Sequence, residues 1–268
     1  MKFVKIILIL LLAATAGLYS FQSVSKGLRG ENTPPVIECS ADPLEVSVRD
    51  PESALFAGLT ANDKQDGDLT SRIYLTGLSK MVNSTVKATY YVFDSDNNMA
   101  SRTRQIHYTD YQSPRIEIVE PLIYSTADSI TLLDRLQVID TVDGDITKSI
   151  RVSNLTMTEI ANVYSVSLQV TNSMGDTVRV EVPVIQVERG PSRSTIQLSK
   201  QLVYLSQGSA FNPRTYLLTV DTPNGPGNPG SVKIHNPVDM STPGTYQVRY
   251  DYHDEETSGL AFLTVVVE

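Results

Sequence analysis

The residues best suited to chemistry are aspartates in a short stretch that the chain contains twice. The first copy spans residues 63–73 and the second spans residues 140–150, and both read D-x-x-D-G-D-[L/I]-T-x-x-I. Clustered carboxylates in a flexible loop are typical ligands of Ca²⁺. The first copy therefore offers a candidate calcium site, provided that a later acidic turn folds beside it. Its candidate ligands are Asp63, Asp66, Asp68, Asp94 and Asp96.

The second copy is a poorer candidate for calcium, because Asn172 and Ser173 stand where its later turn would need acids. Its own acids are Asp140, Asp143 and Asp145. Both copies also fit a purely structural turn, in which the glycine supplies a positive φ and the carboxylates cap backbone N–H groups. Neither copy matches the twelve-residue calcium loop that ends in glutamate. The pattern favours the structural turn without a cofactor and leaves calcium as the alternative.

No other group of residues suggests catalysis or nucleic-acid binding. His107, His235 and His253 are scattered, and none has an acid and a nucleophile near it in the sequence. The chain has no G-x-S-x-G elbow and no phosphate-binding glycine loop. Cys39 is the only cysteine, which excludes an intrachain disulfide and a thiolate metal site. The net charge of −8, without a Lys/Arg cluster, argues against nucleic acid. We therefore expect a protein that is not an enzyme.

The elements that carry the acidic stretches show the alternation of β-strands, for example at residues 86–92 and 166–170. The two copies lie 77 positions apart (140 − 63), which is a domain length. The same offset pairs Phe93 with Val170 and Arg102 with Arg179. Proline-containing breaks at Pro34-Pro35, Ser113-Pro114 and Gly190-Pro191 mark the boundaries. We predict an all-β fold of three tandem β-sandwich domains, at residues 34–111, 112–189 and 190–268.

The N-terminal residues 1–22 have the form of a signal peptide or a membrane-anchor helix. Lys2 and Lys5 precede an apolar block at residues 6–21. Ala14-Thr15-Ala16 fits signal-peptidase cleavage, but cutting there would leave a very short signal, which favours an uncleaved anchor. We expect residues 23–33 to form a linker. The rest would then lie outside the cytoplasmic membrane, either held by the N-terminal segment alone or secreted after cleavage.

The third predicted domain has two features that could bind a partner. Tyr246, Tyr250 and Tyr252 alternate along one strand and could form an aromatic face, although period two favours a place in the core. The loop from Pro223 to Gly230 is rich in glycine and proline. It is the best candidate for a contact loop, because long loops on rigid sandwiches often carry recognition. It fits a plain hairpin connection equally well.

Three motifs together resemble the bacterial immunoglobulin-like modules that occur in tandem on exported surface proteins, in the "pesticidal crystal protein" Ig-like and HYR-like group. They are Pro-Pro-Val-Ile (34–37), Asp-Gly-Asp-Leu-Thr (66–70) and Val-Asp-x-Ser-Thr-Pro-Gly-Thr-Tyr-x-Val-x-Tyr (238–250). The third predicted domain lacks Asp-Gly-Asp. The resemblance implies Ig-like sandwiches with an adhesive or spacer role at the cell surface, toward an unidentified protein or glycan. The alternative is an accessory or docking subunit of an exported enzyme or envelope complex.

Overall fold

The N-terminal segment forms an α-helix over residues 12–20. The computed structural model describes residues 12–20, 33–125, 131–187 and 193–268. The rest of the predicted export segment, and the linker up to residue 32, lie outside the described residues. Within the described ranges, no helix is both long enough and apolar enough to cross a bilayer. Anchoring and cleavage therefore stay predictions.

The described chain divides into two compact units. The first comprises Met1–Val46, Asp50–Ser79 and Thr85–His107, and the second comprises Ser47–Arg49, Lys80–Ser84 and Tyr108–Glu268. The predicted division into three domains is finer than this and stays a prediction. The all-β prediction is confirmed for the described residues beyond the helix, which form strands, short 3₁₀ turns and loops.

The first unit contains two sheets, which we call the first sheet pair, in strand orders β1-β3-β4 and β2-β7-β6-β5. The strands are β1 (Val36–Cys39), β2 (Leu44–Val46), β3 (Leu59–Asp63), β4 (Gly67–Asp68), β5 (Tyr74–Leu78), β6 (Thr85–Phe93) and β7 (Met99–Tyr108). Two 3₁₀ helices span Glu52–Phe56 and Thr70–Arg72. The alternation in β6 buries Val86, Ala88, Tyr90 and Val92 as the sequence predicts.

The second sheet pair lies in the second unit, with strand orders β11-β10-β8 and β12-β13-β14-β9. Its strands are β8 (Arg115–Ile118), β9 (Ile123–Ser125), β10 (Leu136–Asp140), β11 (Gly144–Asp145), β12 (Arg151–Met157), β13 (Val163–Thr171) and β14 (Thr177–Val187). Its 3₁₀ helices span Leu132–Arg135 and Thr147–Ser149. Residues from both sheets, such as Val138 and Leu168, share one buried core, as in a β-sandwich.

The third sheet pair is also in the second unit, with strand orders β15-β17-β18 and β16-β21-β20-β19. Its strands are β15 (Thr195–Leu198), β16 (Leu202–Leu205), β17 (Leu217–Thr222), β18 (Gly225–Pro226), β19 (Lys233–His235), β20 (Gly244–His253) and β21 (Ser258–Val267). Its 3₁₀ helices span Pro213–Tyr216 and Pro229–Ser231. Ile196 and Leu263, from opposite sheets, belong to one buried core.

The longest hairpins of the first two sheet pairs correspond at an offset of 78, not 77. β6 ends at Phe93 and β13 ends at Thr171, so these two residues occupy the same place (171 − 93). The expected pairings, Phe93 with Val170 and Arg102 with Arg179, are therefore wrong by one residue. The physical reason is that a shift of one residue in a strand moves a side chain to the other face. Phe93 is exposed, whereas Val170 is buried.

Candidate functional site

The first acidic stretch folds as a tight turn between β3 and β4. Oδ1 of Asp63 accepts hydrogen bonds from the backbone N–H groups of Gln65 at 2.7 Å and Asp66 at 2.8 Å. Oδ1 of Asp68 accepts one from the N–H of Thr70 at 2.8 Å. The hydroxyl and the N–H of Thr70 lower the pKa of Asp68, because they stabilise its ionised form. These carboxylates hold the backbone of the turn.

Asp66 joins this turn to the turn that connects β6 and β7. Its Oδ2 accepts a hydrogen bond from the N–H of Ser95 at 2.5 Å, and its Oδ1 accepts one from the Ser95 hydroxyl at 2.8 Å. Asp94 is buried, and its Oδ1 accepts bonds from the N–H groups of Asp96 at 2.9 Å and Asn98 at 2.8 Å. The two acidic turns therefore meet, as the sequence suggests, through Asp66 and Ser95.

Calcium binding at these acids stays a prediction. Oδ2 of Asp63 is buried and has no hydrogen-bond partner, so it is the oxygen best available to a cation. Asp63, Asp66, Asp68 and Asp94 each use at least one carboxylate oxygen to hold a turn. Among the described residues, no group of three or more His, Cys, Asp or Glu side chains is placed to hold a metal ion.

The second acidic stretch repeats the first turn closely. Oδ1 of Asp140 accepts hydrogen bonds from the N–H groups of Val142 at 2.9 Å and Asp143 at 2.8 Å. Asp143 accepts two from Ser173, one from its N–H and one from its hydroxyl, both at 2.6 Å. Ser173 is thus the counterpart of Ser95 and not a substitute for an acid. That detail of the sequence interpretation is wrong, because the true offset in this turn is 78.

Asn172 gives the second copy a buried polar network. Its Nδ2 donates to Oδ2 of Asp140 at 3.1 Å and to the hydroxyl of Tyr111 at 2.8 Å. The Tyr111 hydroxyl in turn donates to Oδ2 of Asp176 at 2.7 Å. Burial, together with the Asp176 carboxylate, raises the pKa of Tyr111. Each of these acceptors receives a hydrogen bond from within the network. The network therefore stabilises the packing inside the second unit.

The third sheet pair contains a related turn between β17 and β18, which is one residue shorter and has no aspartates. Thr222 pairs with Gly225, as Asp63 pairs with Gly67 in the first copy. Asn228 accepts a hydrogen bond from the N–H of Gly230 at 2.9 Å, which is the role that Asp68 plays for Thr70. The predicted contact loop, residues 223–230, is therefore the counterpart of the acidic turn. The spacing in the sequence could not have revealed it, because Asn228 lies three residues after Gly225, whereas Asp68 directly follows Gly67.

The tyrosines of β20 and His107, which the sequence also singled out, contact neighbouring residues of the fold. Tyr250 and Tyr252 are buried in the third core, which confirms the core interpretation. The Tyr250 hydroxyl donates to the carbonyl of Pro213 at 2.7 Å. Nδ1 of His107 lies 3.2 Å from the Thr85 hydroxyl. Thr85 and His107 face each other across β6 and β7, so this contact joins two cross-strand neighbours.

An exposed aromatic cluster was missed by sequence reasoning. Tyr74 on β5 pairs across the sheet with Tyr91 on β6, and Phe93 follows two residues later on the same face. The Tyr74 ring stacks with both of the others. Its centroid is 6.2 Å from that of Tyr91, with 24° between the planes, and 6.2 Å from that of Phe93, with 9° between the planes. Tyr74 is 44% exposed and Phe93 is 38% exposed. We call these three side chains the aromatic platform.

The second and third sheet pairs are joined by side chains that cross between them. Leu202, at the start of β16, is buried in the core of the second pair. The Tyr204 hydroxyl accepts a hydrogen bond from the N–H of Ile116 at 3.0 Å, and the Arg115 guanidinium lies 4.8 Å from the Tyr204 ring centroid. Arg115 also forms an ion pair with Glu268. Burial raises the pKa of Tyr204 to about 12.

Comparisons with known proteins do not place the chain in a family. No protein-family model matches it. No curated protein matches it either. The resemblance to the Ig-like and HYR-like group therefore stays a prediction.

Several solved structures share a partial likeness. One contains CBM51-2 in complex with GlcNAc and the INT domains of Clostridium perfringens ZmpB, at 18% identity over 55% of this chain and 26% of that one, with a TM-score of 0.24. Another is the protocadherin GammaB4 extracellular domain, at 11% identity over 88% of this chain and 50% of that one, with a TM-score of 0.21. A third is a lipoprotein of Bacteroides thetaiotaomicron, at 12% identity over 86% of this chain and 98% of that one, with a TM-score of 0.22. The chain spans about a quarter of the first of these structures, and scores this low carry no weight for function.

Proposed function

We propose that this is a non-enzymatic, exported bacterial surface protein in which three tandem Ig-like sandwiches act as an adhesive or spacer module. The sandwiches correspond to residues 34–111, 112–189 and 190–268. The N-terminal segment tethers them to the membrane or is removed on export. The acidic turns serve the fold of the first two sandwiches, because their carboxylates cap backbone N–H groups.

The observation that carries the proposal is the joint between the second and third sheet pairs. Leu202 of the third pair is buried in the core of the second, and Tyr204 is hydrogen-bonded to Ile116. Shared apolar burial of this kind resists movement between neighbouring modules, because separation would expose Leu202 to water. A fixed joint suits a protein that must hold a binding surface at a set position.

The experiment is to apply the labelled full chain to intact cells, to glycan arrays and to pools of surface proteins. Saturable binding supports the adhesive role, and a lack of binding to all of these targets leaves the spacer role. Turnover of any substrate in a hydrolase panel, if it persists after repurification, would contradict the proposal.

A docking subunit is the second candidate, and one feature favours it. A groove of about 650 Å³ runs between residues 115–119 of the second sheet pair and residues 197–205 of the third. Its charged side chains include Glu117 and Lys200. Purification from the native envelope should then give a stoichiometric complex that the pair Glu117→Lys and Lys200→Glu disrupts. Lys87→Glu, on the first sheet pair, should leave that complex intact. A chain that always purifies alone would remove this candidate.

A further inference from the structure

The aromatic platform lies on a sheet face that the fold itself does not need to cover. The inner face of β6 already supplies the core through residues such as Tyr90 and Val92, which are fully buried. Tyr91 and Phe93 alternate with them and point to the opposite face. Next to Phe93, its cross-strand partner Met99 is 50% exposed. Clustered exposed apolar side chains of this kind mark binding surfaces more often than single ones do.

The same three places in the other sheet pairs carry polar residues. The first residues of β5, β12 and β19 are Tyr74, Arg151 and Lys233. The last residues of β6, β13 and β20 are Phe93, Thr171 and His253, and two residues before each end lie Tyr91, Gln169 and Asp251. In the second pair Gln169 accepts a hydrogen bond from Arg179 at 2.7 Å, and in the third Asp251 pairs with Arg249 at 2.8 Å. The fold therefore accepts polar side chains at these three positions, so folding alone does not explain the aromatic residues of the first sheet pair.

The surroundings of the platform indicate the chemistry of its ligand. Ser101 faces Tyr91 across β6 and β7, and Thr89 and Thr103 form the next row, with their hydroxyls 3.3 Å apart. Neither the platform nor these two rows contain a charged side chain. The exposed parts of aromatic rings pack against the C–H groups on the face of a sugar ring, while neighbouring hydroxyls bind polar groups at its rim. A protein of net charge −8 also repels anionic polymers.

The geometry points to the aromatic platform as a binding site for a neutral glycan, with Tyr74, Tyr91 and Phe93 as stacking residues and the hydroxyl row as hydrogen-bonding groups. This inference rests on the proposed adhesive function and names its ligand class and its site. Tyr74 lies on β5, which is the last strand of its sheet, so an extended sugar chain can reach the platform from that side.

The test is affinity electrophoresis of the full chain in gels that contain a neutral β-glucan, a mannan or a xylan, with alginate as the acidic comparison. We expect retardation by at least one neutral polymer and none by alginate. The variant Tyr74→Arg/Tyr91→Gln/Phe93→Thr, which introduces the residues of the second sheet pair, should bind at least about tenfold more weakly. Tyr74→Ala alone should bind several-fold more weakly.

Leu218→Thr is the matched control, because Leu218 is 55% exposed on the third sheet pair and lies outside the platform. It should bind like the native chain. Equal thermal unfolding midpoints of all variants would show that they fold. Unchanged binding by the triple variant, or no binding of any neutral polymer by the native chain, would overturn the inference. A platform-dependent dimer in sedimentation velocity would overturn it in favour of a second copy of the chain. The adhesive proposal survives either result if the chain still binds cells.

Discussion

Asn172 donates from Nδ2 to Oδ2 of Asp140 across 3.1 Å, and this bond has no counterpart in the first acidic turn. The residues at the corresponding places there are Asp94 and Asp63, which are both acids, and Oδ2 of Asp63 is buried without a hydrogen-bond partner. A buried acceptor without a donor costs about 1–3 kcal/mol. The first turn is therefore the less satisfied of the two copies.

Exchanging the first turn for the second should stabilise the protein. The double variant Asp94→Asn/Asn98→Asp places a donor opposite Asp63 and copies the pair Asn172 and Asp176. We expect the free energy of unfolding to rise by about 1 kcal/mol, because an orphaned oxygen gains a partner. Urea denaturation measures the change. Asp96→Asn, whose carboxylate lies outside these contacts, should change it by less than about 0.5 kcal/mol. A clear loss of stability in the double variant would show that Asp63 is already satisfied.

If the acids of the first turn bind Ca²⁺, replacing them should lower the stability of the protein and not raise it. A cation bound to the native state raises stability by about 2.7 kcal/mol at a concentration one hundred times its Kd. Added Ca²⁺ should then raise the thermal unfolding midpoint, and EDTA should reverse the shift. Asp63→Asn should abolish the response, whereas Asp140→Asn should keep it. If neither Ca²⁺ nor EDTA changes the thermal unfolding midpoint, the role of these acids is to cap backbone N–H groups.

Arg104 should be a strong determinant of stability in the first unit. It is 1% exposed, and its partners among the described residues are the backbone carbonyls of Leu55 and Ala57 and the ring of Tyr90. Arg104→Leu leaves both carbonyls without this donor, so we expect a loss of about 2–4 kcal/mol in chemical denaturation. The exposed Arg102→Leu is the control and should cost less than about 0.5 kcal/mol. Equal effects of the two variants would refute this assignment.

The joint in the second unit should be sensitive to alkaline pH through Tyr204. Its pKa is raised to about 12 from the ordinary value near 10, so the folded state favours the neutral phenol. This stabilisation is fully present below pH 10 and is lost as the pH rises through 12. Tyr204→Phe should cost about 1 kcal/mol at pH 8, because the bond to Ile116 is lost. The difference in the free energy of unfolding between the variant and the native protein should decrease between pH 10 and 12. A difference independent of pH would contradict this account.

Gly67 should resist substitution for reasons of backbone conformation alone. Its φ is 72°, yet an added Cβ would meet no atom within 4 Å. Gly67→Ala should therefore cost about 1 kcal/mol through strain, without any clash. Gly77 also has open space but no positive φ, so Gly77→Ala should be neutral or stabilising. Thermal unfolding of the two variants compares them directly, and equal midpoints would show that φ at residue 67 can relax.

The sequence by itself determined the strands and the local part of each turn. Alternation identified β6 because burial follows period two, and Asp68 caps Thr70 because the two residues are neighbours in the chain. Such interactions reach over two or three residues, so spacing alone reveals them. The turn at residues 222–231 was not predicted, because it is one residue shorter than the acidic turns and Asn228, not an aspartate, caps its backbone.

The tertiary structure decided which distant residues meet. The bond from Ser95 to Asp66 and the bond from Asn172 to Asp140 depend on how one loop lies beside another, and a single extra residue in the second sheet pair shifts that register from 77 to 78. The exposure of Tyr74 and the burial of Leu202 likewise depend on which sheet faces are packed against another part of the chain. Packing between sheets is a property of the folded chain, since no short segment contains both sides of the contact.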